Sequence, residues 1–170
     1  FISTVKDSGV KTFIIHARKG ILKGLSPRQN RNIPPLNYEK VYSIKKDFPD
    51  LEIIINGGIK SISETKNHLN YVDGVMLGRA AYDDPFMLSD IDCEIYSDKK
   101  IEVSRKDLLT EYLDYVHLMT KKGYDPKVML KHVFGLKKGE KDAKKFRVKV
   151  AEIMSSSSLI ENKDELLSMV

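Results

Sequence analysis

The chain has 170 residues, 41% hydrophobic and 31% charged, with no Trp and a mean hydropathy of -0.34. These fractions suit a packed core and exclude wholesale disorder, while the length excludes a complete (β/α)8 barrel, which needs roughly 250 residues and rarely fewer than about 200. The net charge is +5, from 29 Lys+Arg against 24 Asp+Glu, and no apolar run approaches the roughly 20 residues of a membrane span.

Residues 2–8 read as the end of a helix, with Gly9 just past it. Residues 11–16 (KTFIIH) form a short β-rich apolar run, expected as a buried strand. The loop over 17–35 is punctuated by Gly20, Gly24, Pro27, Pro34 and Pro35. A loop of that length inside a compact domain tends to be functional. Apolar residues at 38, 41, 42, 44 and 48 predict a helix over 38–48, stopped by Pro49. Residues 51–55 (LEIII) predict a second strand that runs into Asn56-Gly57-Gly58. A short helix over 61–69 opens on a Ser61-x-x-Glu64 capping pattern, and 74–77 (GVML) predicts a third strand ending at Gly78-Arg79. Strand and helix thus alternate three times, which argues for parallel strands with crossover helices.

Past residue 92 the pattern changes. The acidic, polar segment 90–101 reads as a linker, which divides the chain into 1–92 and 93–170. Helical patterns follow. One over 104–122 opens on Ser104-x-x-Asp107 and ends at Gly123. Another over 126–134 opens on Pro126. A basic amphipathic stretch covers 141–154, Ser155–Ser158 reads as a connector, and 162–169 closes the chain. The second part is expected to be a small helical bundle.

Charge is unevenly spread. Residues 17–38 hold Arg18, Lys19, Lys23, Arg28 and Arg31 with no acid, and 121–149 hold eleven cations against Asp125, Glu140 and Asp142. One such run is commonly a solvated face; two point to a polyanion partner, because neutralised phosphates release counterions. Asn56-Gly57-Gly58 and Gly78-Arg79 occupy equivalent places after consecutive strands. Glycines there serve either as tight turns or as a close backbone approach to an anion, and together they favour a phosphate site. His16 ends the first strand, and with Arg18 and Lys19 it would place polar heads over a ligand; a lone strand-end His is otherwise structural. His68, His117 and His132 share no metal-ligand spacing, and the single Cys93 excludes an intrachain disulfide and a multi-Cys metal site. One cysteine and no signal-peptide pattern fit a cytoplasmic protein.

Taken in order, these residues resemble a known family. His16-Ala17-Arg18-Lys19, Lys23-Gly24-Leu25-Ser26-Pro27, Asn30-Arg31 and Ile33-Pro34-Pro35-Leu36 look like the tRNA-dihydrouridine synthases, specifically the A subfamily. Asp47-Phe48-Pro49, Ile55 to Ile59, Asp73-Gly74-Val75-Met76, Gly78-Arg79, Ala81-Tyr82 and Pro85 continue the match. It thins in the helical part, to His132, Gly135-Leu136, Ala143, Lys144 and Arg147.

The resemblance implies an FMN-binding TIM barrel, of which 1–92 would be the last three βα units, followed by a helical tRNA-binding domain over 93–170. It implies reduction of the C5–C6 bond of a D-loop uridine, at positions 20 and 20a, with NADPH as reductant, in a monomeric enzyme without a metal. His16 resembles the flavin-contacting His, and Asn56, Gly57, Gly58, Gly78 and Arg79 the FMN-phosphate loops. Arg28 and Arg31 fall where the family places tRNA contacts, as do Lys144 and Arg147, which share a helix face at i and i+3. Gly20 departs from the usual Ala, and Lys144 from a common Arg, which keeps the charge but weakens bidentate phosphate pairing. The family's catalytic cysteine has no counterpart in these residues. The chain is therefore expected to be the C-terminal portion of a longer enzyme, inactive by itself. A fragment of another FMN barrel oxidoreductase and a free-standing tRNA-binding remnant are the alternatives.

Overall fold

A computed structural model of the chain describes residues 1–96, 102–156 and 163–170. They fall into two compact units, Phe1–Ala80 and Ala81–Val170.

In the first unit α1 (Ile2–Lys6) leads to β1 (Thr12–His16). The long loop is not wholly irregular, because it holds α2 (Pro27–Asn30). Ser26 Oγ accepts from Gln29 N and Gln29 Oε1 accepts from Ser26 N, a capping box that makes so short a helix possible. The unit continues with α3 (Tyr38–Asp47), β2 (Glu52–Asn56), α4 (Ile62–Leu69) and β3 (Gly74–Met76). Ser61 caps α4 by accepting from Glu64 N (3.1 Å). The Glu64 carboxylate, however, accepts from Lys60 N (2.6 Å), one residue outside the position a capping box would use.

The three strands form a parallel sheet in the order β1-β2-β3, with Phe13 beside Ile53, Ile15 beside Ile55 and Ile55 beside Val75. The sheet is the α/β architecture that the alternating pattern predicts. Phe13, Ile53, Ile55, Val41, Leu51, Ile59 and Val72 make the core. Burying one such side chain contributes about 1.5–3 kcal/mol. Ile14, by contrast, is 54% exposed on the other face of β1. The start of the sheet is fixed by Asp73, whose carboxylate accepts from Ile53 N (2.8 Å) and pairs with Lys45 (2.8 Å).

The helix α5 (Arg79–Asp83) is followed by a 3-10 helix over Pro85–Asp90 and by α6 (Ile91–Glu94). Residues 90–94 are therefore helical rather than the expected linker, and 97–101 of that segment lie outside the described residues. The unit division also falls before residue 92, because Phe86 packs on the core of the second unit and under the Arg105 guanidinium, 3.8 Å from the ring centroid.

Next come α7 (Arg105–Lys121), α8 (Pro126–Leu130) with a 3-10 turn over Lys131–Val133, α9 (Ala143–Ser156) and α10 (Lys163–Ser168). Ser104 and Asp107 form the expected capping box at the start of α7. The connector read at Ser155–Ser158 begins inside α9, and 157–162 lie outside the described residues. Leu109, Leu113 and Val116 of α7 and Phe146, Val150 and Ile153 of α9 repeat at i, i+4 and i+7. Each set forms one apolar stripe, and they share a core with Leu130, Val133, Leu136 and Leu166.

Candidate functional site

The last register row of the sheet places His16, Asn56 and Met76 side by side. This is the C-terminal edge, where ligands of parallel α/β sheets gather.

The chain leaves β1 by a route fixed at each step. Ala17 N donates to Asn56 O (2.8 Å), Arg18 N to His16 O (2.8 Å) and Asn37 N to Ala17 O (2.7 Å). Arg18 and Leu36 form an antiparallel bridge, and Arg18 Nη1 donates to Pro34 O. The long loop is thus closed at its base. Farther out, Asn30 Oδ1 accepts from Ile21 N and Asn30 Nδ2 donates to Ile21 O, both at 2.8 Å, so one side chain pairs the loop as a strand neighbour would.

After Asn56 the backbone turns through Gly57 (φ +117°) and Gly58 (φ +77°), conformations that side-chain residues rarely adopt. A Cβ on Gly57 would stand 3.1 Å from His16 Cε1, and one on Gly58 2.5 Å from Leu36 Cδ1. The two glycines therefore let this turn lie against His16 and Leu36, and Tyr38 Oη pins it by donating to Gly57 O (2.9 Å). Gly78 differs, since a Cβ there would meet nothing within 4 Å. Its backbone is open to an approaching group.

Arg79 is exposed, and its Nη1 donates to Asn32 Oδ1 (2.6 Å). Arg28 and Arg31 are exposed in the last turn and at the C-cap of α2. Partial burial, and then the charges of Arg18, Arg79 and Arg31, hold the His16 imidazole below its usual value. Arg18 Nε is buried without a hydrogen-bond partner among the described residues. The His16 imidazole and the three guanidinium groups acting on it, with no acid in residues 17–38, give this edge a positive field that suits an anion.

The first unit thus brings together His16, Asn56, Gly57 and Gly58, with Arg79 and Arg31 close enough to act on His16. Lys144 and Arg147 belong to the second unit. Both are exposed on α9, while Phe146 between them is fully buried. Their neighbours Lys145 and Lys149 pair with Asp142 (2.9 Å) and Glu165 (2.6 Å), whereas Lys144 and Arg147 make no ion pair among the described residues. Sequence reasoning missed Tyr38 and Asn32. The aromatic at the start of α3 and the polar residue in a polar loop carry no spacing signal. Among the described residues, no group of three or more His, Cys, Asp and Glu could hold a metal, and no helix is long and apolar enough to cross a membrane.

A family model described as Dihydrouridine synthase (Dus) matches residues 1–169. The tRNA-dihydrouridine(20/20a) synthase of Pseudomonas putida is 42% identical over 147 residues, 86% of this chain and 44% of the relative. That of Vibrio cholerae is 41% identical over 153 residues, 89% of this chain and 47% of the relative. That of Synechocystis sp. is 41% identical over 160 residues, covering 94% and 47%. The chain spans less than half the length of these relatives.

Proposed function

The chain belongs to the dihydrouridine synthase family, and from that premise we propose that it is part of a tRNA-dihydrouridine synthase. Its reaction is reduction of the C5–C6 bond of a D-loop uridine, at positions 20 and 20a, by NADPH through FMN. The first unit is read as the last βα units of an FMN-binding TIM barrel. The helices of 93–170 are read as a bundle that holds tRNA, and the setting as the cytoplasm.

The observation that carries this reading is the cation cluster around His16 at the strand ends, with Arg18 Nε lacking a partner among the described residues and the open Gly78 next to Arg79 in sequence. These features fit a phosphate-bearing cofactor. Asn56, Gly57, Gly58, Gly78 and Arg79 would hold the phosphate of FMN, and His16 would contact the flavin. When bound, FMN supplies the hydride for the uridine ring. The protein's own contribution is orientation and charge. Arg79 keeps further donors for an anion after its bond to Asn32, and Gly78 leaves room for a close backbone contact. Neutral His16 can give or take one hydrogen bond without adding charge. Arg28 and Arg31 on the loop, and Lys144 and Arg147 on α9, would contact tRNA phosphates, supplying affinity rather than base recognition. The target base must leave its stack to reach a flavin, at a cost of a few kcal/mol, which such contacts offset. Cys93 lies in α6, and the strand-end loops after β1, β2 and β3 carry no cysteine, so they include no proton donor of the family's kind.

The test joins this chain to the N-terminal portion of the Pseudomonas putida relative and supplies tRNA, FMN and NADPH. Dihydrouridine in the digested tRNA, read by mass spectrometry, is expected from the chimera and not from the chain alone. A chimera that holds FMN yet forms no dihydrouridine overturns the reading.

A further inference from the structure

We propose that Asn32 is a positioning residue that aims Arg79 at the phosphate-binding loop and fastens the basic segment Pro27–Arg31 to the same guanidinium. The inference rests on reading Gly78–Arg79 as the cofactor-phosphate site.

An exposed arginine at the start of a five-residue helix has a long side chain with many rotamers. Ordering it on a ligand costs rotamer entropy. Here that ordering is in place beforehand, because Asn32 Oδ1 accepts from Arg79 Nη1 at 2.6 Å. Among the described residues only one of the five guanidinium donors is used, so an edge remains for a bidentate anion.

Asn32 is itself held. Its backbone N donates to Gln29 O (3.0 Å), and its Nδ2 donates to Arg28 O (3.1 Å). The second bond fixes which end of the amide faces Arg79. With the donor committed to a carbonyl, the oxygen is the end that remains. The residue type matters as well. An Asp in this place would offer an oxygen but neutralise the arginine, whereas Asn orients the guanidinium and leaves its charge for the ligand. Because the Arg28 carbonyl sits on the other side of the same amide, the anion site and the segment carrying Arg28 and Arg31 are linked through one side chain.

The test titrates the 170-residue chain with FMN and, separately, with riboflavin, which lacks the phosphate. Binding is followed up to millimolar flavin by the amide NMR shifts of Gly57, Gly58 and Gly78. Asn32→Ala, Arg79→Ala and the double variant are compared, with thermal melting as a check on folding. Asn32 is exposed, so its variant should melt as the parent does. The expected result is FMN affinity about threefold to tenfold weaker in Asn32→Ala, with riboflavin affinity unchanged. Arg79→Ala should weaken FMN about tenfold to a hundredfold, and the double variant should be no worse than Arg79→Ala. Equal losses for FMN and riboflavin would show a merely structural role and overturn the proposal. So would losses of the two single variants that multiply in the double. If no amide of the parent responds to FMN, or Arg79→Ala leaves FMN binding unchanged, the phosphate-site reading fails and the proposal falls with it.

Discussion

The Tyr38 hydroxyl donates to the carbonyl of Gly57 at 2.9 Å, so the first residue of α3 holds the turn that follows β2. The tyrosine ring is braced in turn, edge-on to the His68 ring at a centroid distance of 4.4 Å. Tyr38→Phe keeps the ring and removes only the bond to the turn. It should lower stability by about 0.5–1.5 kcal/mol and weaken FMN binding a few-fold. Chemical denaturation and a flavin titration read the two effects; a variant as stable and as tight as the parent would show that the turn does not need the bond.

The glycines of the site should divide into two kinds. Gly58→Ala must bear a positive φ and a Cβ 2.5 Å from Leu36 Cδ1. A loss of about 1–3 kcal/mol of stability is expected. Gly78→Ala meets nothing, so the fold should be unchanged within about 0.5 kcal/mol while FMN binding weakens, because the added methyl occupies the space open to the anion. Melting temperatures and flavin affinities measured together separate the cases. If Gly78→Ala binds FMN as the parent does, Gly78 is a turn residue only.

Much of this site was legible because glycines and strand ends leave marks in a sequence. Alternation of apolar runs placed all three strands, and the family resemblance picked out the residues that follow them. Tertiary partners were not legible. Nothing in the spacing says that Glu64 would reach Lys60 rather than Ser61, or that Tyr38 would find Gly57. The acidic segment after residue 90 looked like a linker because its charges are conspicuous, yet Phe86 and the short turns beside it belong to a packed unit. Gly135 is a similar case. Its place in the motif could be read, but not the cause, which is the Asp83 carbonyl only 2.5 Å from where a Cβ would stand.

His68 gives the first unit a pH dependence of known sign. Burial holds its imidazole below the usual value of about 6.5, opposed by the Glu64 charge. Its Nδ1 lies 2.6 Å from Tyr42 Oη, and Tyr42 stacks on Tyr71. Protonating the ring puts hydrogens on both nitrogens, so the Tyr42 hydroxyl can no longer donate to Nδ1. Because the folded value is the lower one, the unfolded chain binds the proton more readily. Stability is then full above about pH 6.5 and is lost as the pH falls toward the folded value. Melting temperatures from pH 8 to 5 should show this decline. His16 shifts in the same direction, so His68→Phe should flatten the decline without abolishing it. A decline as steep as the parent's would assign it elsewhere.

Lys144 and Arg147 allow the RNA reading to be tested separately from the flavin reading. Both project from α9 beside the buried Phe146, so replacing them leaves the core of the second unit intact. If each meets one phosphate, Lys144→Ala and Arg147→Ala should each lower the slope of log affinity against log salt by about 1. The Arg change should cost more affinity at a given salt, since its guanidinium can pair bidentately and an ammonium cannot. Anisotropy of a labelled tRNA transcript, titrated with the chain at several salt concentrations, gives both numbers. Lys145→Ala is the internal control. That lysine is paired with Asp142, so its removal should change the slope less than either neighbour does. Equal slopes for all three variants would mean that α9 presents a solvated face and that the tRNA contacts lie elsewhere.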